Sequence, residues 1–354
     1  MAKHVIVVAA LGLAVAAGAA GEESEMREQT LMVPMKVEYQ AAWLTWVAST
    51  TTCLNALGVD CDNADVAGYS GYAFHLCTHP ELCPSGPTVL DLDKLAAGVR
   101  ALGRATAQFH GGEGHHTQHK NDRTRVVCRA AFEFARREIQ AGRPCVMNGA
   151  YLPEFAAVRG VSGDTFILSS FKGPDAPPLP FDEIDAPGGP YILAFPAECE
   201  VPAAVADRTA IVNAIDAWQL PPHGLYRYGA DAYDLWIESL EAKRAGARGA
   251  GYNSQCYAEA RRFARDFFAR MALREPHAKA ELEEVSALYG KAAAALGKVA
   301  ELCPFQGAAW DAKIEDDETI AAVVAELKKA KAAESGAIEI LREVAVMEWP
   351  QPQR

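Results

Sequence analysis

Two features of the 354-residue sequence predict an α+β domain followed by an all-helical C-terminal region. Between Cys145 and Phe195, short apolar runs follow one another, and where the connections are only a few residues, too short for parallel crossovers, antiparallel pairing is favoured. Beyond Pro202 that pattern stops, and apolar residues return at steps of three and four, the spacing of one helix face.

From the N-terminus, Lys3 and His4 precede an apolar run from Val5 to Ala20 that ends in small residues. This is the pattern of an export signal over residues 1–20, with cleavage after Ala19 or Ala20, and the expected location is periplasmic or secreted. No cysteine near the cleavage point offers a lipid anchor, and no later segment is long and apolar enough to cross a bilayer. Residues 21–30 form a polar linker, after which Leu31, Val33 and Met35 alternate like a short strand.

A helix is predicted from Gln40 to Leu57, ended by Gly58, and then an ordered loop from Asp60 to Thr88 rich in Gly, Pro, Ser and Tyr, with a short helix near Asn63–Ala67. Leu92, Leu95, Val99 and Leu102 mark a second helix over 90–102, and a third runs from Thr124 to Gln140, closed by Gly142. Strands follow at Cys145–Asn148, Phe155–Val161, Thr165–Ser170 and Tyr191–Phe195. Residues 31–200 therefore read as the α+β domain and 203–275 as a helical extension. Residues 276–354 read as a long antiparallel helical hairpin, whose stripes Leu282, Val285, Tyr289, Leu296 and Val323, Leu327, Leu341 match each other. If those stripes satisfy one another, the hairpin is a dispensable appendix beginning near residue 275. A protein partner docking on these C-terminal helices is the alternative use for them.

The formal net charge of −12 becomes −13 without residues 1–20, which carry Lys3 and no acid. Such a surface repels phosphate backbones and anionic lipid, so nucleic acid is not an expected partner. Nine cysteines in an exported chain permit disulfides, but the odd number leaves at least one thiol unpaired. Without a CxxC pair, a zinc ribbon or thioredoxin-type redox motif is unsupported, and with no Gly-rich phosphate loop no nucleotide cofactor is expected.

Three segments carry a resemblance to a known family. They are Leu57-Gly58 to Gly68-Tyr69-Ser70-Gly71-Tyr72-Ala73-Phe74, Cys83-Pro84-Ser85-Gly86-Pro87, and Gly142-Arg143-Pro144 through Pro153-Glu154-Phe155 to Arg159-Gly160-Val161. Their order resembles the papain-like, C39-like cysteine peptidase superfamily, in the branch related to the BtrH N-terminal domain. Tyr228-Gly229 to Asp234-Leu235-Trp236-Ile237 and Tyr252-Asn253 look like the helical extension of that branch, so the resemblance spans about residues 40–270. It implies a nucleophilic cysteine at the N-terminus of the first long helix, where the dipole stabilises a thiolate, and a histidine early in a sheet strand. The first helical turn here, near Ala41–Trp46, has no cysteine, and Glu154 stands where the histidine is implied. The dyad therefore reads as degenerate.

The expectation is an exported papain-like-fold protein that binds a small-molecule or peptide ligand in the ancestral cleft, with Tyr69, Ser70, His75 and Glu154 as its lining. The alternative is a thiol-dependent amidohydrolase or acyltransferase using Cys53, with Glu154 as a second catalytic group. A third is an interaction protein acting through its C-terminal helices. No metal centre is assigned; His115 and His119 in the stretch His110–His119 are the nearest to a ligand set, and the glycines among them argue against the helix that would align them.

Overall fold

The computed structural model describes residues 29–112 and 121–349, so the expected signal segment, His115 and His119 lie outside the described residues. In chain order the elements are β1 (Leu31–Met32), α1 (Thr45–Ala56), α2 (Asn63–Ser70), β2 (Cys77–Thr78), α3 (Leu92–Val99), β3 (Ala107–His110) and α4 (Asp122–Gln140). They continue as β4 (Cys145–Asn148), β5 (Phe155–Ser162), β6 (Thr165–Ser169), β7 (Leu179–Pro180), β8 (Tyr191–Ala194) and α5 (Ala203–Trp218). The last are β9 (Arg227–Tyr228), α6 (Gly229–Glu241), α7 (Ala247–Arg274), α8 (Lys279–Leu302) and α9 (Asp317–Ala345). The chain is thus mixed α and β, with an antiparallel sheet and a helical C-terminal region. These elements form two compact units, one of residues up to Tyr39 with Ala107–Ala194, the other of Gln40–Thr106 with Phe195 onward.

In the sheet unit the strand order is β3-β8-β4-β5-β6-β7, with β1 also paired to β5, and every pairing is antiparallel. The pairing β4–β5 runs from Cys145↔Val158 to Asn148↔Phe155. Helix α4 begins with a capping box between Asn121 and Thr124, and its Cys128, Ala131, Phe132, Ala135 and Ile139 lie on one face. That face is buried with Met147, Val158, Phe166 and Ile192 of the sheet, forming the unit's core. Strand β3 is absent from the sequence expectations because the alternation of Ala107-Gln108-Phe109-His110 spans only four residues; it pairs with β8 as an edge strand.

The helical unit includes α1, α2 and α3, so the expected α+β domain of residues 31–200 is not one of the two units. The reason is local packing: Phe267 of α7 lies so close to Gly68 of α2 that a Cβ there would meet the ring at 2.2 Å. Nor is the chain beyond Pro202 wholly helical, since β9 pairs with β2 through Cys77↔Tyr228 and Thr78↔Arg227.

Helices α8 and α9 pack against each other, with Leu288 beside Gly336, but they are not an appendix. Leu296 and Val299 of α8 and Val323 and Leu327 of α9 share one buried cluster with Trp236 of α6, Tyr257 of α7, and Leu76 and Leu82 of the loop region. Phe268 of α7 stacks on Tyr289 of α8 at 5.6 Å between centroids. Most tellingly, Arg261 of α7, with no exposed side-chain surface, is neutralised by Glu334 of α9. Nε donates to Oε1 at 2.8 Å and Nη2 to Oε2 at 2.7 Å, while the Tyr233 hydroxyl also donates to Oε1. Burial works against the guanidinium's charge, but Glu334 more than offsets it and holds the Arg261 pKa above its ordinary value. The division expected near residue 275 cuts through this core. Deleting residues from Pro276 onward strands a buried cation and uncovers the apolar faces of α6 and α7, so the truncated chain is expected to lose cooperative thermal unfolding. A truncation that melts cooperatively near the midpoint of the full chain would contradict this packing.

Candidate functional site

Helix α1 starts at Thr45, five residues after its expected start, because the preceding backbone is held by another helix. The Glu259 carboxylate of α7 accepts the Leu44 N–H at 3.0 Å and a second bond from the Trp43 N–H. Glu259 thus occupies the position where unpaired amides at a helix N-terminus attract an anion. Burial raises its pKa, and the two backbone bonds oppose that rise. Cys53 lies eight residues further along, about 12 Å at the helical rise. It is completely buried, and the run before it, Ser49-Thr50-Thr51-Thr52, is buried too.

The segment Gly68–Phe74 forms the end of α2, a left-handed turn at Gly71 (φ 85°) and a short 3-10 helix, with Tyr72 and Phe74 in the core. Tyr69 does not face the same space as its neighbours. Its hydroxyl donates to the buried Asp207 at 2.8 Å, and Arg274 binds the same carboxylate at 2.9 and 3.2 Å. Burial and the Asp207 charge push the phenol's pKa well up, so Tyr69 is a permanent donor that ties α2 to α5 and α7.

Ser70 and His75, by contrast, line one cleft of about 470 Å³ within the helical unit. Leu220, Pro221, His223 and Tyr228 line it too, and the start of α3 supplies Asp91, Lys94 and Leu95. Ser70 Oγ is engaged with the Ala67 carbonyl and the Tyr72 N–H, both at 3.3 Å, which leaves no base to activate it. His75 Nε2 lies 3.3 Å from the Gly86 carbonyl, an atom that only accepts, so Nε2 carries the proton and Nδ1 is the acceptor. Gly86 is required there, since a Cβ would sit 2.4 Å from the Cys77 carbonyl.

Burial lowers the His75 pKa to about 4; the Gly86 bond favours the charged form, but burial, helped by the nearby Arg261 charge, wins. Arg261 fixes the residue from behind, its Nη1 donating to the His75 carbonyl at 2.6 Å. Across the β2–β9 pair, Tyr228 hydrogen-bonds the buried Cys77 thiol, whose pKa burial raises to about 12. The Tyr228 phenol is itself raised to about 12, by burial first and by the Cys77 charge second. At neutral pH the cleft therefore presents a neutral imidazole, a neutral phenol and no thiolate.

Glu154 belongs to the sheet unit, just before β5, where its carbonyl accepts the N–H groups of Gly149 and Ala150 at 2.9 and 3.0 Å. Cys53, Tyr69, Ser70 and His75 belong to the helical unit, and of these the structure brings Ser70 and His75 to one cleft. Among the described residues no group of three or more His, Cys, Asp or Glu side chains is placed to hold a metal, and no disulfide joins any of the nine cysteines. Glu259, Asp91, Lys94 and His223 escaped sequence reasoning. Only Tyr228 had a signal, the Tyr228-Gly229 pair: Gly229 (φ 54°) packs so tightly on Trp218 that a Cβ would meet its carbonyl at 2.0 Å.

No family model and no curated protein matches the chain.

Two measurements test this geometry. Proton NMR of the histidine ring signals is expected to show His75 titrating near pH 4, assigned with His75→Gln. Stability is full above the ordinary value of 6.5; as pH falls from there toward 4 the unfolded chain takes a proton that the folded chain refuses. About 3 kcal/mol is lost over that window, and His75→Gln removes this part of the pH dependence. Iodoacetamide at neutral pH is expected to leave Cys53 unlabelled in the native chain; rapid selective labelling would place it at the surface.

Proposed function

We propose that this chain is a ligand-binding protein on a papain-like scaffold whose Cys–His dyad is not in use, and that it holds a small molecule in the His75 cleft. The carrying observation is the cleft itself: about 470 Å³, with an apolar wall and a few convergent polar groups, one of them a histidine held neutral and in a fixed tautomer. The Glu259 contact supports the non-catalytic half of the reading. A thiolate at the start of α1 would lie beside the carboxylate of Glu259, which already accepts the N–H groups of Trp43 and Leu44 just before the helix. The buried position of Cys53 supports the same reading. Export to the periplasm or medium remains part of the proposal, resting on the sequence of residues 1–20.

The test is saturation-transfer NMR of the full chain against a panel of small neutral, acidic, basic and zwitterionic compounds. At least one class is expected to bind, and Leu90→Trp, which fills the cleft from its rim, is expected to weaken that binding about tenfold or more. A panel with no binder, or binding indifferent to Leu90→Trp, overturns the cleft as the site. Amide hydrolysis by the chain that vanishes in Cys53→Ala overturns the non-catalytic reading.

A further inference from the structure

We infer that the ligand of the His75 cleft is a zwitterion, an α-amino acid or short peptide with an aliphatic side chain; this rests on the cleft being the binding site. Apart from its histidines, the charged groups lining the cleft are one carboxylate, Asp91, and one ammonium, Lys94. They stand three residues apart at the start of α3, within one helical turn, so they face a bound molecule from the same side.

Asp91 keeps one oxygen open to a ligand, and Lys94 is only loosely paired, with Asp216. Asp91 caps α3 with one oxygen, Oδ1 accepting the Lys94 N–H at 3.0 Å, and its Oδ2 has no partner among the described residues. The nearest carboxylate oxygen to Lys94 Nζ is that of Asp216 at 3.8 Å, beyond hydrogen-bond length, and both side chains are over one-third exposed. His75 is neutral at physiological pH and adds no charge of its own.

Charge balance then discriminates between ligand classes. A simple anion meets Lys94 but is repelled by Asp91, and a simple cation meets Asp91 but is repelled by Lys94. A wholly apolar molecule removes water from both charges and returns no hydrogen bond to either. A molecule carrying an ammonium and a carboxylate satisfies both at once, and the apolar wall of Val89, Leu90, Leu95, Ala217 and Leu220 takes its side chain. The unprotonated Nδ1 of His75 offers a further acceptor for an N–H donor. The volume suits one residue or a short peptide, being at the small end of ligand pockets.

The experiment is isothermal titration of the full chain with L-leucine, N-acetyl-L-leucine and L-leucinamide. L-leucine is expected to bind at least about tenfold more tightly than either blocked form, each of which lacks one charge. Lys94→Gln is expected to weaken L-leucine about tenfold without weakening L-leucinamide, which has no carboxylate for Lys94 to meet and is relieved of its repulsion. Asp91→Asn, which keeps the helix cap, is expected to weaken L-leucine without weakening N-acetyl-L-leucine, which is relieved of the Asp91 repulsion. Either blocked form binding as tightly as L-leucine overturns the zwitterion and leaves the cleft standing as a site. Binding of none of the three overturns the inference as well, and the broader panel and Leu90→Trp then decide the cleft separately.

Discussion

The helical unit is organised around one electrostatic requirement, that a guanidinium with no access to water must be neutralised where it stands. Arg261 meets this through the two parallel bonds to Glu334, with Tyr233 completing the carboxylate and the His75 carbonyl taking Nη1. Each partner comes from a different element: α7, α9, α6 and the turn after α2. A buried ion pair adds little net stability over well-packed apolar side chains, but losing one partner alone costs about 3–5 kcal/mol. Its consequence here is specificity of arrangement. α9 must lie where Glu334 reaches Arg261, and the turn carrying His75 must lie where its carbonyl meets the same guanidinium.

That constraint links the fold to the cleft. With its carbonyl bound to Arg261 and its Nε2 bound to Gly86, His75 is fixed at backbone and side chain, and the Arg261 charge adds to burial in keeping the ring neutral. Under the proposed reading the cleft meets its ligand with an imidazole acceptor, a phenol and the Asp91–Lys94 pair. Charge-stabilising groups elsewhere in the unit are already committed to internal partners, Glu259 to the backbone before α1 and Asp207 to Tyr69 and Arg274.

Much of the secondary structure was legible because its signals are local. Asn121 and Thr124 announce α4, the apolar runs give β4, β5, β6 and β8, and three–four spacing gives the long C-terminal helices. What escaped depends on contacts distant in sequence. The start of α1 is set by Glu259, more than two hundred residues away. Strands β2 and β9 are two residues each and exist only as a pair. The division of the chain was misread because matching stripes on α8 and α9 look self-sufficient, and nothing local in the sequence marks Glu334 as the partner of Arg261; it reads as an interruption of an apolar stripe. The site was half legible for the same reason. Gly- and Ser-rich turns point to Ser70 and His75, but Asp91 and Lys94 read as an ordinary helix start until the fold places them beside the imidazole.

The most direct measurement of the central claim is a double-mutant cycle on Arg261→Met and Glu334→Leu in the full chain, with urea unfolding and the His75 ring pKa as readouts. Each single change is expected to cost about 3–5 kcal/mol by leaving a buried charge unpaired, and the double change to recover much of that loss. In the double variant His75 is also expected to titrate above its native value of about 4, because the Arg261 charge beside it is gone. Additive losses in the cycle, with the His75 pKa unchanged in the double variant, would contradict the account.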